Sequence, residues 1–287
     1  MNKTPTDTRA LILNCLTDGM SIRATSRLTG SAKGTILRLL AEVGEFCEVY
    51  QYHRLRKLTT TRIEADEQWS FLGAKQKNAK EGQGDIWTFC ALDADTKLVM
   101  SWLVGARSPE NTYAFIADLA GRVVNRVQLT TDGFAAYTEA VRRAFGFARC
   151  DFAQLVKSYG PGQDTGAPQT SRRYSPMVCT GAVKVRRIGK PVEELVSTSF
   201  VERLNLNTRQ NCRRFTRLTN GFSRKAENHG YAVALHFFAY NFCRAHGTLT
   251  KAAQGAKTTP AMAAGLTERP WTMADLLALM EPTFLLR

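Results

Sequence analysis

The sequence predicts an α/β fold, a mixed five-stranded sheet with helices, preceded by an all-helical segment. Three observations predict it. Residues 8–57 carry apolar side chains at helical spacing. After residue 60 the texture changes to β-branched and aromatic runs separated by turn residues, then to alternating helix and strand patterns. From residue 197 the pattern is helical again, and that helix carries one acid followed by a dense set of cations.

The helical segment divides into three pieces. Leu11, Ile12, Cys15 and Leu16 form an apolar stripe, which Asp18-Gly19 ends. Ser21 is placed to cap a short second helix, IRATSRLTG, with Ile22, Ala24 and Leu28 inward, and Gly30 closes it by permitting a left-handed backbone. Ser31 is placed to cap a third helix with Ile36, Leu37, Leu40 and Val43 on its buried face. A short helix, a tight turn and a helix opening Ser-Ala-Lys-Gly-Thr describe a helix-turn-helix, which would turn Lys33, Thr35 and Arg38 toward a DNA major groove. A plain three-helix bundle would show the same apolar pattern. The third helix runs on through EFCEVYQYHRLRKL, a connector suited to packing on the next domain or on a second subunit.

The strands follow. IEADEQWSFLGAK (63–75) reads as a strand with Asp66 near its start, and DIWTFCALD (85–93) and KLVMSWLVGAR (97–107) complete a meander through the turn DADTK. Ser108-Pro109-Glu110 supplies a cap, a first-turn proline and an acid at the positive end of a helix, whose buried stripe is Ile116, Leu119, Ala120 and Val123. RVQLTTDG (126–133) is a fourth strand ending in Asp132. Phe134, Tyr137, Val141 and Phe145 mark the next helix, and FARCDFAQL (147–155) is a fifth strand. The order β-β-β-α-β-α-β-α is that of the ribonuclease-H-like fold, in which the first and fourth strands are neighbours. An acid on each, plus one from a later helix, can converge on two metal ions. Asp66, Asp132 and Glu202 occupy those places. Glu64 and Glu67 are rivals to Asp66, Glu64 on its face of the strand and Glu67 on the opposite one. Asp93 and Asp95 read as hairpin-turn residues.

Between the fifth strand and Glu202 lies a Gly-, Pro- and Ser-rich stretch with six cations and no acid from Thr165 to Val192. It reads as a basic insertion ordered by DNA, with Arg172, Arg173, Lys184, Arg186 and Arg187 as contacts. From Arg203 to Lys225 there are seven further cations and no acid. Arg209 is seven residues past Glu202 and shares its face of the helix, and Arg213 follows one turn later. Residues 1–57 are therefore read as a DNA-binding region with a connector helix, 58–249 as the core domain with the insertion at 160–196, and 250–287 as a tail with short helices.

The formal net charge of +14 over 287 residues points to a polyanionic partner. The seven cysteines are scattered and form no Cys-x-x-Cys pair, so they read as free thiols rather than disulfides or zinc ligands. The opening MNKTPTDTRA shows no apolar signal region and no stretch approaches a membrane span, so a cytoplasmic location is expected.

The strings DEQWSFLGAK, TTDG, STSFVERLNLNTRQ, RRFTRLTNGFS, ENHGYAVALHFFAYNFCRAH and TPAMAAGL resemble the DDE transposases of short bacterial insertion sequences, of the insertion-sequence-one type. The resemblance implies a metal-binding catalytic triad of Asp66, Asp132 and Glu202, with Arg209 on DNA and Asn205 and His229 as accessory polar residues. It implies two Mg²⁺ ions, replaceable by Mn²⁺, inverted-repeat and target double-stranded DNA as partners, and a homodimer or larger assembly on paired ends. Many relatives carry a cysteine zinc ribbon ahead of the helix-turn-helix. This sequence has none, so end recognition is expected to rest on the helix-turn-helix and the connector. The expected activity is binding of the element's ends, strand cleavage and strand transfer. The competing readings are a non-catalytic helix-turn-helix regulator and a ribonuclease-H-like nuclease that cuts without joining.

Overall fold

The computed structural model describes residues 4–160, 178–217 and 219–281. Its central element is one mixed sheet of six strands in the order β3-β2-β1-β4-β5-β6. The strands are β1 Arg62–Leu72, β2 Gly84–Asp93, β3 Val99–Gly105, β4 Val127–Thr131, β5 Cys150–Gly160 and β6 Val178–Ile188. β1, β2 and β3 form the antiparallel meander. β1 then pairs parallel with β4, with Ala65 opposite Thr131, and β4 pairs parallel with β5. First and fourth strands are thus neighbours. Asp93 makes the hairpin turn expected of it, its carboxylate accepting the Asp95 and Thr96 N–H groups.

The sheet has one strand more than the five expected. β6 lies within the stretch read as an insertion and pairs antiparallel with β5. Its composition concealed it. As an edge strand it is wet on both faces, with Val183 61% exposed, so burial imposes no apolar alternation to read. Lys184, Arg186 and Arg187 charge this edge, which discourages pairing with another chain.

Helices cover both faces. Helices α4 Pro109–Arg122 and α5 Ala136–Phe145 lie on one, and α6 Ser199–Asn211 and α7 Ala226–Phe238 on the other. α4 begins as its sequence predicts, with Ser108 Oγ accepting the Asn111 N–H at 3.3 Å. β2 shows how alternation sorts the layers. Phe89 packs against Phe115 of α4, while Cys90 and Leu92 join Val201 and Leu204 of α6.

The N-terminal helices are α1 Thr6–Thr17, α2 Ile22–Thr29 and α3 Lys33–Arg54. Ser21 Oγ accepts the Ala24 N–H at 3.1 Å, and Gly30 adopts φ 68° to end α2. Two details differ from the sequence reading. Ala32, not Ser31, precedes α3 and offers no side-chain cap, while the Ser31 carbonyl accepts from Ser26. Leu28 is 61% exposed, and Thr25 is the fully buried residue of this eight-residue helix. So short a helix turns few positions inward.

α3 extends for 22 residues, about 33 Å at helical rise, and its second half packs along α7. Contact is closest at Gly44, where an added Cβ would stand 2.4 Å from Tyr231 Cβ, so only glycine fits. Gln51 donates to the Ala234 carbonyl at 3.2 Å and accepts from Asn241 at 3.2 Å. Tyr50 meets the rings of Phe238, Phe242 and Trp271. The short helices α8 Gly247–Ala252, α9 Pro260–Ala263 and α10 Met273–Leu279 follow, and α10 rests on α1. The connector therefore packs on the core of its own chain. A single buried cluster runs from Ile12 and Ile36 through Ile63, Phe115 and Phe152 to Phe238 and Leu276.

Candidate active site on β1 and at the end of β4

Alternation along β1 places the site. Glu64, Asp66 and Gln68 face α6, and each bonds to it. Glu64 Oε2 accepts the Phe200 and Val201 N–H groups at 2.8 and 3.0 Å, at the positive end of the helix. Asp66 Oδ2 accepts from Asn205 Nδ2 at 2.7 Å. Gln68 Nε2 donates to the Asn205 carbonyl at 3.0 Å. Three successive inward residues of one strand thus fix the register of α6 across it.

Asp132 follows directly on β4. Its Oδ1 accepts the Phe134 N–H at 3.0 Å, and Gln154 of β5 donates to the Asp132 and Phe134 carbonyls at 2.8 and 3.0 Å. Asp66 and Asp132 line one cleft of about 770 Å³ together with Glu202, Asn205, Lys157 and Arg209. Glu202 accepts hydrogen bonds from Thr198 and Lys157. Burial is the largest single influence on Lys157 and opposes its charge, but the hydrogen bond to the Glu202 carboxylate and the nearby Glu202 and Asp66 charges together raise its pKa.

The tightest acidic group differs from the expected triad. Asp66, Glu67 and Asp132 offer oxygens that all lie within 4.8 Å of one another. Glu67 does face the opposite side of β1, yet the chain turns at Asp132, just past the end of the short strand β4, and the two carboxylates meet there. Its side chain is 1% exposed, Arg107 Nε donates to Oε1 at 3.1 Å, and Oε2 has no hydrogen-bond partner. Arg107 also reaches Asp132 at 3.3 Å and lies 4.0 Å over the Phe134 ring. Burial first, then the Asp132 charge, lifts the Asp66 carboxyl to about 6 and that of Glu67 to about 8. An all-carboxylate donor set with one buried, orphaned oxygen fits a hard divalent cation.

The remaining candidates are dispersed. Lys33 and Arg38 are exposed on α3 and Thr35 is half-buried. Lys184 donates to the Glu193 carbonyl, Arg187 to Gln154, and Arg186 is exposed on β6. Arg172 and Arg173 lie outside the described residues. His229 does not line the cleft. It is fully buried, Ser223 lies 3.1 Å from its Nδ1, and burial followed by the Arg214 charge lowers its pKa to about 4. It serves the packing of α7. Lys157 carried no readable signal, because the sequence places the end of β5 at Leu155 and the strand continues to Gly160. Arg107 reads only as the last residue of the third strand, and β3 ends at Gly105.

A mixed α/β core with acids converging from β1 and β4, beside a helix bearing a third, is the arrangement expected of a DDE-type transposase. Residues 60–159 match the model of the IS1 transposase family, and this match supports an IS1-type DDE transposase. The matched segment holds Asp66 and Asp132 and stops short of Glu202. The family implies use of a divalent metal and binding of DNA. No curated protein matches the chain. Among the described residues no helix is long and apolar enough to cross a membrane.

Proposed function

We propose that this chain binds the inverted-repeat ends of an insertion sequence as double-stranded DNA, cleaves strands there and joins them to target DNA. The observation that carries the reading is the meeting of Asp66 and Asp132 in one cleft with Glu202 and Arg209 of α6. Mg²⁺, or Mn²⁺ in its place, would be held by Asp66, Asp132 and Glu202, with Glu67 beside them, and would supply Lewis-acid polarisation of a phosphodiester. Asn205 orients the Asp66 carboxylate toward the cleft, and Thr198 orients Glu202. Arg107 keeps Asp132 and Glu67 from repelling each other apart. Arg209, half-buried in the cleft wall, is placed to hold a phosphate of the reacting strand. Lys33, Thr35 and Arg38 on α3 would read the ends in a major groove, with Arg38 and Lys33 also free to reach backbone. Arg186, Arg187, Lys184 and Arg213 would extend the phosphate contacts. Pairing of two ends calls for a dimer or larger assembly, as the family resemblance implies.

The test uses Asp132→Asn. A neutral amide is a poor ligand for a hard cation, so cleavage of end DNA should fall at least about 100-fold while melting temperature and DNA affinity stay near wild type. Asp66→Asn and Glu202→Gln should behave alike. Cleavage near the wild-type rate in any of them removes that residue from the site. Cleaved but never joined products from the wild-type chain would instead support the nuclease reading, and metal-independent DNA binding without cleavage the regulator.

A further inference from the structure

A second cleft, of about 850 Å³, lies between helices α2 and α3 and the segment that follows α6. Arg23 of α2, Lys33 at the start of α3, and Arg213, Arg214 and Arg224 line it, with no carboxylate among the lining residues. Several arginines elsewhere on the molecule are matched by carboxylates. Arg56, Arg62, Arg107, Arg122, Arg126, Arg142, Arg143, Arg244 and Arg269 each pair with an acid. None of the five cleft cations has a carboxylate partner among the described residues. The Arg213 Nε is buried without a hydrogen-bond partner. A concave surface walled by unpaired cations focuses a positive field and costs the free protein energy by self-repulsion. Both facts favour a polyanion as occupant.

The position of the cleft selects the polyanion. Gly19, in the turn between α1 and α2, sits so close to the end of α6 that an added Cβ would stand 2.5 Å from the Gln210 carbonyl oxygen, at a φ of 78° that already favours glycine. The turn that leads into α2 is therefore seated against the end of the helix that carries Glu202. Arg209 lines the acidic cleft and Arg213, four residues on, lines this one. The two clefts adjoin along one helix end.

We infer that the second cleft holds the sugar–phosphate backbone of the DNA strand that runs from the α2–α3 surface to the acidic cleft. Arg23, Arg213 and Arg224 take its phosphates, and Lys33 belongs to this backbone track as well as to the groove surface. The inference rests on the DNA-processing reading above and assigns a path to that DNA.

The test measures binding of a fluorescein-labelled mixed-sequence duplex by anisotropy across a salt series, without metal. For Arg23→Gln, Arg213→Gln and Arg224→Gln combined, affinity should fall at least about tenfold and the slope of log affinity against log salt should drop by about 2.7, three phosphates at about 0.9 each. The corresponding triple lysine chain should keep the slope. Unchanged affinity and slope in the glutamine variant overturn the cleft assignment and leave the proposed function standing. A wild-type chain that binds no duplex at low salt overturns both. Should the glutamine variant fail to fold, phenylglyoxal labelling of the wild-type chain decides. The duplex should protect Arg213 and Arg224 and leave Arg142 and Arg143 of α5 reactive, and equal reactivity at Arg213 and Arg224 with and without DNA rejects the path.

Discussion

Asp66 and Glu67 hold their protons more tightly than carboxyls in water do, and this has a measurable consequence. Burial is the larger cause in both, followed by the Asp132 charge, and the values are about 6 and about 8. Oxygens within 4.8 Å of one another repel on the order of 3 kcal/mol per charged pair at an effective dielectric of about 20. The sign follows from linkage. An acid whose folded pKa is raised costs the fold nothing while both states are protonated. As pH climbs past the unfolded value toward the folded one, the unfolded chain ionises first and the metal-free fold loses stability, at up to about 1.4 kcal/mol per pH unit per group. A divalent cation binds the ionised form and reverses that loss. Millimolar Mg²⁺ should therefore raise the melting temperature little near pH 5 and clearly near pH 8. Asp132→Asn should flatten that dependence. An Mg²⁺ shift of equal size at both pH values would show that these carboxyls are not the metal's ligands. At this scale Asp132 was legible from its place directly after a strand, and Asp66 from its place on the first strand of the meander, within β1. Glu67 was not, since strand alternation sends it away from Asp66 and only the turn at Asp132 brings it back.

The helix α6 owes its placement to β1 more than to its own sequence. Its N-terminal N–H groups find their acceptor in Glu64, a buried carboxylate from a strand more than a hundred residues earlier. Burial raises the pKa of Glu64, and the Val201 and Phe200 N–H bonds oppose that rise. Glu64→Ala leaves the buried Val201 N–H and the half-buried Phe200 N–H unmet, which should cost about 1–3 kcal/mol of stability. It should also weaken Mg²⁺ binding, because α6 carries both Asn205 and Glu202. Glu64→Gln keeps an acceptor and should recover most of the stability. Chemical denaturation and Mg²⁺ titration of the two variants check this. A Glu64→Ala chain with wild-type Mg²⁺ affinity would mean that α6 is positioned by its apolar face alone, through Val201 and Leu204. The helix itself was readable from its periodicity and its single acid. Its anchor was readable only as a face of β1, and β6 not at all, because an edge strand wet on both sides carries no burial pattern.

Across the whole molecule the boundary drawn near residue 57 marks a change of texture, and the packing ignores it. Ile36, Leu39, Leu40, Val43, Cys47 and Leu55 of the N-terminal segment are buried in the same cluster as the sheet and α7. Sequence periodicity identifies which face of α3 is apolar. It cannot say which distant element covers that face, and here α7 and Trp271 from the tail do so. Each fully buried aliphatic side chain contributes about 1.5–3 kcal/mol, so losing the five aliphatic ones removes about 10 kcal/mol, comparable to the whole stability of an ordinary domain. A chain lacking residues 1–57 should therefore fail to fold cooperatively, and its DNA binding would say nothing about the helix-turn-helix. The proposed reading and cutting of DNA must be separated by surface changes. Lys33→Gln with Arg38→Gln touches exposed positions only, so its melting temperature should stay within a degree or so of wild type while affinity for DNA ends falls. Differential scanning calorimetry of the truncated chain beside this double variant checks both expectations. A sharp, reversible transition from the truncated chain would mean that α7 and the tail close over the core unaided, and that the N-terminal helices form a dispensable domain after all.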